Sequence, residues 1–264
     1  MLVSIIIPTF NRLELLKRAI VSIEAQTYTN YELIIVDDAS NDGTLEYLMT
    51  LDHLILILSE NRGVSHARNR GVAMANGSSV AFLDSDDSWH KEKLAQQVAF
   101  HQLDPEVKCS FGEEKWFRFD KEVKRPKKYE SPHVVNFKDL LEFTFIGPSS
   151  VMIDTNFYKE LKGFDEDLAV CEDFDLWLRL STHTSMHLAP NVCINKHAGD
   201  FEQLSSSVLS LEPYRVEALL KHQDNAQAKE MIKKKIEIIQ KGAQKHQNQE
   251  LLDFCELQTK KLQR

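Results

Sequence analysis

Four short apolar runs separated by helical spacing decide what this chain can fold into. "VSIII" at 3–7, "ELIIV" at 32–36, "LILIL" at 54–58 and "VAFL" at 80–83 are nearly continuous apolar runs rather than alternations of apolar and polar residues, the pattern of strands covered on both faces. Between and after them the spacing predicts helices at about 13–25, 44–51, 64–75 and 91–103. Apolar strands alternating with helices make an α/β fold, a mostly parallel Rossmann-type sheet flanked by helices. With 264 residues, 42% of them hydrophobic, the chain can bury a full core and has length for one large domain with an appendage.

In such a sheet the ligand crevice lies beyond the carboxyl ends of the strands, and polar residues gather there. The first run leads into Pro8, Thr9, Phe10 and Asn11, the second into Asp37, Asp38, Ala39 and Ser40, and the fourth into Asp84, Ser85, Asp86 and Asp87. Asp37 and Asp38 also suit the turn before "NDGT". One carboxylate of 84–87 could cap the next helix, but a cap uses only one. Two carboxylates ~4 Å apart repel by about 4 kcal/mol at an effective dielectric of about 20, so acids gathered this way call for protons, cationic side chains or a metal ion. "ENRGVSHARNRG" at 60–71 sets Arg62, Arg68 and Arg70 near the start of a helix, where unpaired N–H groups and guanidinium donors suit a phosphate or a carboxylate. Acidic and basic groups on one crevice imply a ligand with anionic and polyhydroxyl parts; a nucleoside diphosphate linked to a sugar fits.

The net charge of −8 argues against a general nucleic-acid binder, which needs a broad basic face, so no nucleic-acid partner is expected. Cys109, Cys171, Cys193 and Cys255 form no C-x-x-C pair and read as reduced thiols of a cytosolic protein. "MLVSIIIPTFNR" lacks a basic leading segment and is interrupted by Pro8, which makes it a strand rather than a signal peptide. No run approaches the ~18 apolar residues a span requires. The expected location is the cytoplasm, with any membrane contact peripheral and at the inner face.

Five segments in order, "VSIIIPTFNR", "ELIIVDDASNDGT", "NRGVSHARNRG", "VAFLDSDD" and "CEDFDLWLRL", resemble the inverting family-two glycosyltransferases of the GT-A fold, bacterial type, from residue 3 to about 205. The resemblance implies transfer of a sugar from a nucleotide-diphosphate sugar to an acceptor hydroxyl with inversion at the anomeric carbon, assisted by Mn²⁺ or Mg²⁺. By motif match, Pro8, Phe10 and Asn11 would line the base and ribose, Asp38 would hydrogen-bond the base, and Arg68 would help hold the nucleotide. Asp84 and Asp86 would form the D-x-D pair, with Asp86 the direct metal ligand and Asp84 nearer the ribose. Hard divalent ions take carboxylate and phosphate oxygens, which accounts for the clustered acids. Asp173 of "CEDFD" would be the catalytic base, with Glu172 binding or orienting the acceptor, and His197 of "INKHAGDFEQLS" would complete the metal shell. A UDP-sugar is the favoured donor; the acceptor would be a glycan, a lipid-linked sugar or another hydroxyl compound, in cell-surface glycan or polysaccharide synthesis.

Two stretches are less regular. "VKCSFGEEKWFRF" suits a pair of strands, "KEVKRPKKYESPH" a polar loop, and "GPSS" at 147–150 a tight turn before a strand at 149–153. From Pro213 onward the chain reads as helix, with Ile232, Ile236 and Ile239 on one apolar face. Residues 221–264 hold ten Lys/Arg and six Asp/Glu, a local +4 that leaves −12 for 1–220. The expected organisation is a GT-A domain at 1–205, its nucleotide-binding half at about 1–105 and its acceptor half at about 106–205, then a helical extension at 206–264. A protein that binds nucleotide sugars without turnover, or a Mg²⁺-dependent phospho-receiver, would share some of these features. The receiver would leave "CEDFDLWLRL" without a task.

Overall fold

The computed structural model describes residues 1–198 and 208–262. The strands are β1 (Val3–Thr9), β2 (Tyr31–Asp37), β3 (Leu54–Ile57), β4 (Ser79–Phe82), β5 (Ser88–Trp89), β6 (Cys109–Arg118), β7 (Lys121–Val123), β8 (Val134–Val135), β9 (Met152–Asp154) and β10 (Met186–Ala198). The helices are α1 (Leu13–Glu24), α2 (Thr44–Leu48), α3 (Val64–Ala73), α4 (Lys93–Leu103), α5 (Phe137–Leu140), α6 (Thr155–Glu160), α7 (Glu172–Ser181), α8 (Glu212–Leu220), α9 (Ala226–Lys245) and α10 (Gln249–Leu262). One sheet runs β3-β2-β1-β4-β9-β6-β10-β5, with β7 paired to β6 and β8 to β10. Its longest ladders, β1 with β2 and β6 with β10, are parallel.

The apolar runs are covered on both faces, as their composition requires. Ile6, Ile34, Val36, Val80 and Phe82 join one core cluster, with Ala67 and Val72 of α3. Ile5, Ile7, Leu33, Ile35 and Ala81 join the other, with Leu16, Ile20 and Ile23 of α1. Alternate residues of one strand therefore meet different helices. Helix α3 lies so close to the sheet that a Cβ on Gly71 would sit 2.5 Å from Ile6 Cγ2. The "LILIL" strand is less buried than its composition suggests, with Leu54 and Ile57 each 40% exposed, because β3 is the edge of the sheet.

"VKCSFGEEKWFRF" forms one ten-residue strand rather than two. The reversal comes afterwards, at Phe119 and Asp120, whose φ angles are 49° and 55° between the paired Arg118 and Lys121. Positive φ at both central residues is what a two-residue type I′ turn demands, and Phe-Asp is not the usual sequence for it. "GPSS" becomes a buried 3₁₀ turn, Pro148–Ser150, and the strand after it starts at Met152. The boundary at 205/206 falls outside the described residues. The helices beyond it pack on the same core as the sheet: Val216, Leu219, Ile232, Ile236 and Ile239 belong to one cluster with Phe174 and Trp177. The Lys235 ammonium reaches Glu142 O at 2.6 Å and Glu212 at 2.8 Å. Among the described residues no helix is long and apolar enough to cross a membrane.

Candidate active site

The carboxyl ends of β1, β2 and β4 open on a cavity of about 880 Å³. Its far wall comes from the end of β6, the hairpin strand β7, the 144–148 turn and the start of α7. The acidic turn after β4 is clamped on both sides. Ser149 Oγ donates to Asp87 at 2.6 Å and accepts from the Asp84 N–H at 3.1 Å, while Trp89 Nε1 donates to Ser149 O at 2.8 Å. The turn brings carboxylate oxygens of Asp84, Asp86 and Asp87 within 4.8 Å of one another.

Each of the three has a different environment. Asp84 accepts from Arg68 at 2.6 Å; burial opposes its ionisation, but the guanidinium wins and holds its carboxyl below the usual range. Asp86 accepts from Arg12 at 2.7 Å, yet burial and the charge of Asp84 push it up. Asp87 is pushed well up by burial and then by Asp86, although Ser149 and the His197 N–H, the latter at 3.1 Å, both donate to it. Asp86 and Asp87, driven toward protonation by burial and then by their neighbours' charge, form with Asp84 a hard oxygen set that a divalent cation would relieve. The residues therefore fit Mn²⁺ or Mg²⁺.

Arg68, 2% exposed, bridges the two acidic groups of the site. One nitrogen meets Asp84 and the other meets Glu172 at 2.8 Å, and the guanidinium lies 4.8 Å from the Phe164 ring centroid. Burial alone would lower its pKa; Asp84 and Glu172 outweigh it and raise it. Glu172 and Asp173 open α7 directly after Cys171, whose φ of 63° is left-handed. The kink turns the first helical residues toward the cavity, which both acids line. Asp173 is half-buried; burial and the charge of Glu172 push its carboxyl up to about 7, and its Oδ1 accepts from the Phe174 N–H at 2.7 Å.

Of the residues singled out in the sequence, Pro8, Phe10, Asp38, Arg68, Asp84, Asp86, Glu172 and Asp173 all line this cavity. Asp38 accepts from the N–H groups of Arg62 and Gly63 at 3.0 and 2.8 Å, which seats the loop before α3 against the end of β2. Asn11 stands outside the lining. It has φ 50°, and it ties the β1 and β2 loops together by accepting from Asn41 N at 2.7 Å and donating its own N–H to Ser40 Oγ at 2.8 Å. His197 also stands outside the lining: its ring stacks on Phe117 at 5.2 Å and its Nε2 meets Ser88 Oγ at 3.3 Å.

Its neighbour Lys196 lines the cavity instead. The Glu114 carboxylate raises the Lys196 pKa, against burial, with help from Asp87, Asp84 and Asp173. Lys196, Arg12 and Glu114 escaped the sequence reading; the two-residue period of a strand puts either Lys196 or His197 toward the crevice and does not say which. Once one residue of "NKHA" faces the crevice, its immediate neighbour faces away.

The family model described as Glycosyl transferase family 2 matches residues 4–159. A Bacillus subtilis protein named as a teichuronic acid biosynthesis glycosyltransferase, TuaG, is 31% identical over 202 residues, 74% of this chain and 78% of the relative. WfaP of Escherichia coli, a UDP-Glc:α-D-GlcNAc-diphosphoundecaprenol β-1,3-glucosyltransferase, is 32% identical over 182 residues, 68% of this chain and 70% of its own. Among solved structures, Staphylococcus aureus TarS 1–349 with UDP-GlcNAc superposes with a TM-score of 0.73 at 20% identity, covering 88% of this chain and 70% of that one. Mannosyltransferase PcManGT from Pyrobaculum calidifontis, with GDP-Man and Mn²⁺, superposes with a TM-score of 0.63 at 18% identity over 97% and 84%.

Proposed function

This chain belongs to glycosyl transferase family 2, and we propose that it is an inverting, metal-dependent enzyme that moves a sugar from a nucleotide-diphosphate sugar, with UDP favoured, to an acceptor hydroxyl. One observation carries the reading: the Asp84–Asp86–Asp87 group and the half-open Asp173 line a single cavity and are joined through Arg68 and Glu172. Relatives named for teichuronic acid synthesis and for a diphosphoundecaprenol-linked acceptor support a setting in cell-surface polysaccharide assembly, with a glycan or lipid-linked acceptor.

In this reading Pro8, Phe10 and Asp38 bind the nucleoside at the ends of β1 and β2, with Asn11 fixing the loops that carry them. Asp86 and Asp84, with Asp87 beside them, would hold a divalent ion. A bound Mn²⁺ or Mg²⁺ supplies countercharge to the departing nucleoside diphosphate. Asp173 takes the proton from the acceptor hydroxyl as its oxygen attacks the anomeric carbon from the side opposite the diphosphate. Arg68 positions both ends at once, since it holds Asp84 on the donor side and Glu172 beside the base. The domain division at about 205 belongs to the same proposal, with 1–105 serving the donor and 106–205 the acceptor.

The test is calorimetry of UDP and GDP with Mn²⁺ and with excess chelator, followed by a hydrolysis assay on nucleotide sugars of the base that binds. Metal-dependent binding and release of the nucleoside diphosphate are expected. Equal affinity in chelator, or no hydrolysis of any sugar nucleotide, would overturn the assignment.

A further inference from the structure

The donor's charge is met at the ends of β1, β2 and β4, yet the opposite wall of the cavity carries a second set of cations. Residues 121–129, "KEVKRPKKY", hold five basic residues and one acidic residue in a chain of net charge −8. Lys121, Lys124, Lys127 and Lys128 are exposed, and none of the four forms an ion pair among the described residues. Arg125 is spent internally: it meets Glu114 at 3.9 Å and donates to Phe145 O at 2.7 Å, pinning the segment to the 144–148 turn. Lys124 and Arg118 line the cavity itself.

Beside these cations runs a wall of rings. Trp116 and Tyr129 lie 5.1 Å apart, Tyr129 and Phe143 5.4 Å, and Phe143 and Phe145 6.4 Å. Lys128 sits over this wall, 4.9 Å from the Tyr129 centroid and 5.8 Å from that of Phe143. Rings of this kind offer an apolar surface to a ligand while cations at its rim fix a charged end. An exposed run of four lysines with no ion pair among the described residues makes this rim locally positive, and an anionic group is the ligand that such a rim attracts.

We propose that the β6–β7 hairpin and the segment to Tyr129 form an acceptor subsite for a phosphate-bearing acceptor. A phosphate or diphosphate group would sit among Lys124, Lys127 and Lys128, and the attached apolar or sugar portion against Trp116 and Tyr129. The subsite rests on the glycosyltransferase reading, since it needs Asp173 across the cavity to meet the acceptor hydroxyl. Because its contacts are exposed charges, affinity falls steeply with salt.

The experiment uses the full chain saturated with Mn²⁺ and UDP, with Trp fluorescence and calorimetry as readouts. Three probes are titrated: decyl diphosphate, N-acetylglucosamine linked to decyl diphosphate, and the uncharged decyl N-acetylglucosaminide. The diphosphate compounds are expected to bind at least about tenfold tighter than the uncharged one, which corresponds to roughly 1.4 kcal/mol. The combined Lys124→Gln, Lys127→Gln and Lys128→Gln variant should abolish the difference and leave the UDP affinity intact; Lys127→Gln alone, on the surface, should weaken it partially. Equal affinity of charged and uncharged probes, or a preference untouched by the substitutions, would overturn the proposal. So would a variant that loses binding to phosphatidylglycerol vesicles while keeping its diphosphate preference, since the lysines would then belong to a membrane surface. Failure of UDP itself to bind would instead fault the glycosyltransferase reading beneath it.

Discussion

Burial and the charge of Glu172 push Asp173 up to about 7, and that value couples its chemistry to its cost. Below about pH 7 the carboxyl is protonated and cannot accept the acceptor's proton, so the turnover rate should rise with pH through that region and level off above it. An Asp in the unfolded chain titrates near ~3.9. The folded state therefore binds the extra proton between about pH 4 and 7, and stability is lost as pH rises through that window. Asp173→Asn should accordingly lower transfer by about 10²–10⁴-fold, leave nucleotide affinity intact, and raise the melting temperature at pH 8 but not at pH 4. Near-normal turnover would move the base elsewhere. The alternation along β10 yields a second expectation. Asp86→Asn should abolish the Mn²⁺ dependence of nucleotide binding, whereas His197→Ala should leave the Mn²⁺ titration unchanged, because the ring packs on Phe117 and outside the aspartate group. Lys93 provides a third. Its side chain is fully buried and its Nζ finds no hydrogen-bond partner among the described residues, lying 3.8 Å from the Trp89 centroid. A desolvated cation–π contact is worth about 2 kcal/mol, less than the several kcal/mol of burying an ammonium, so burial wins and drives the amine well below its usual pKa. Lys93→Met should raise the melting temperature at pH 7 by several degrees, in a calorimetric scan.

At the scale of elements, β1, β2 and β4 were legible because their apolar runs are continuous and their polar ends abrupt. Of the residues at their ends, Pro8, Thr9, Phe10, Asp38 and Asp84 to Asp87 line the cavity, where a parallel sheet places a ligand. The acceptor wall was not legible. The β6–β7 reversal relies on positive φ at Phe119 and Asp120, which neither residue advertises, and the cavity face of "NKHA" depends on strand phase, which the sequence leaves open. The "GPSS" turn looked like an ordinary tight turn, yet its glycine is a contact point. A Cβ on Gly147 would lie 2.7 Å from Glu114 Oε1 and 3.1 Å from Lys196 Nζ. Both are ends of long side chains that can move, and Gly147 has an ordinary φ of −81°. Gly147→Ala should therefore cost little stability but displace the pair beside the acids. The expected result is a melting temperature within a few degrees of the parent and transfer reduced at least about tenfold. A variant of full activity would detach Glu114 and Lys196 from the chemistry.

At the scale of the molecule, the question is whether the C-terminal helices form an appendage or part of the core. Composition sets them apart, with a local charge of +4 at 221–264 against −12 before it. Packing does not. Val216, Leu219, Ile232, Ile236, Ile239 and Leu262 are all buried in the cluster that holds Phe174 and Trp177, so the α7 carrying Glu172 and Asp173 is backed by these helices. Fully burying one such side chain contributes roughly 1.5–3 kcal/mol, and six together reach on the order of 10 kcal/mol, comparable with the whole net stability of about 5–15 kcal/mol for a domain. Ending the chain at residue 207 should then uncover more apolar surface than the remaining sheet can offset. The full chain is expected to melt in one calorimetric transition, and the 1–207 fragment to lose cooperative unfolding and aggregate. If the fragment instead melts cooperatively and still binds UDP with Mn²⁺, the helices are an independent addition and the support of α7 comes from the sheet alone.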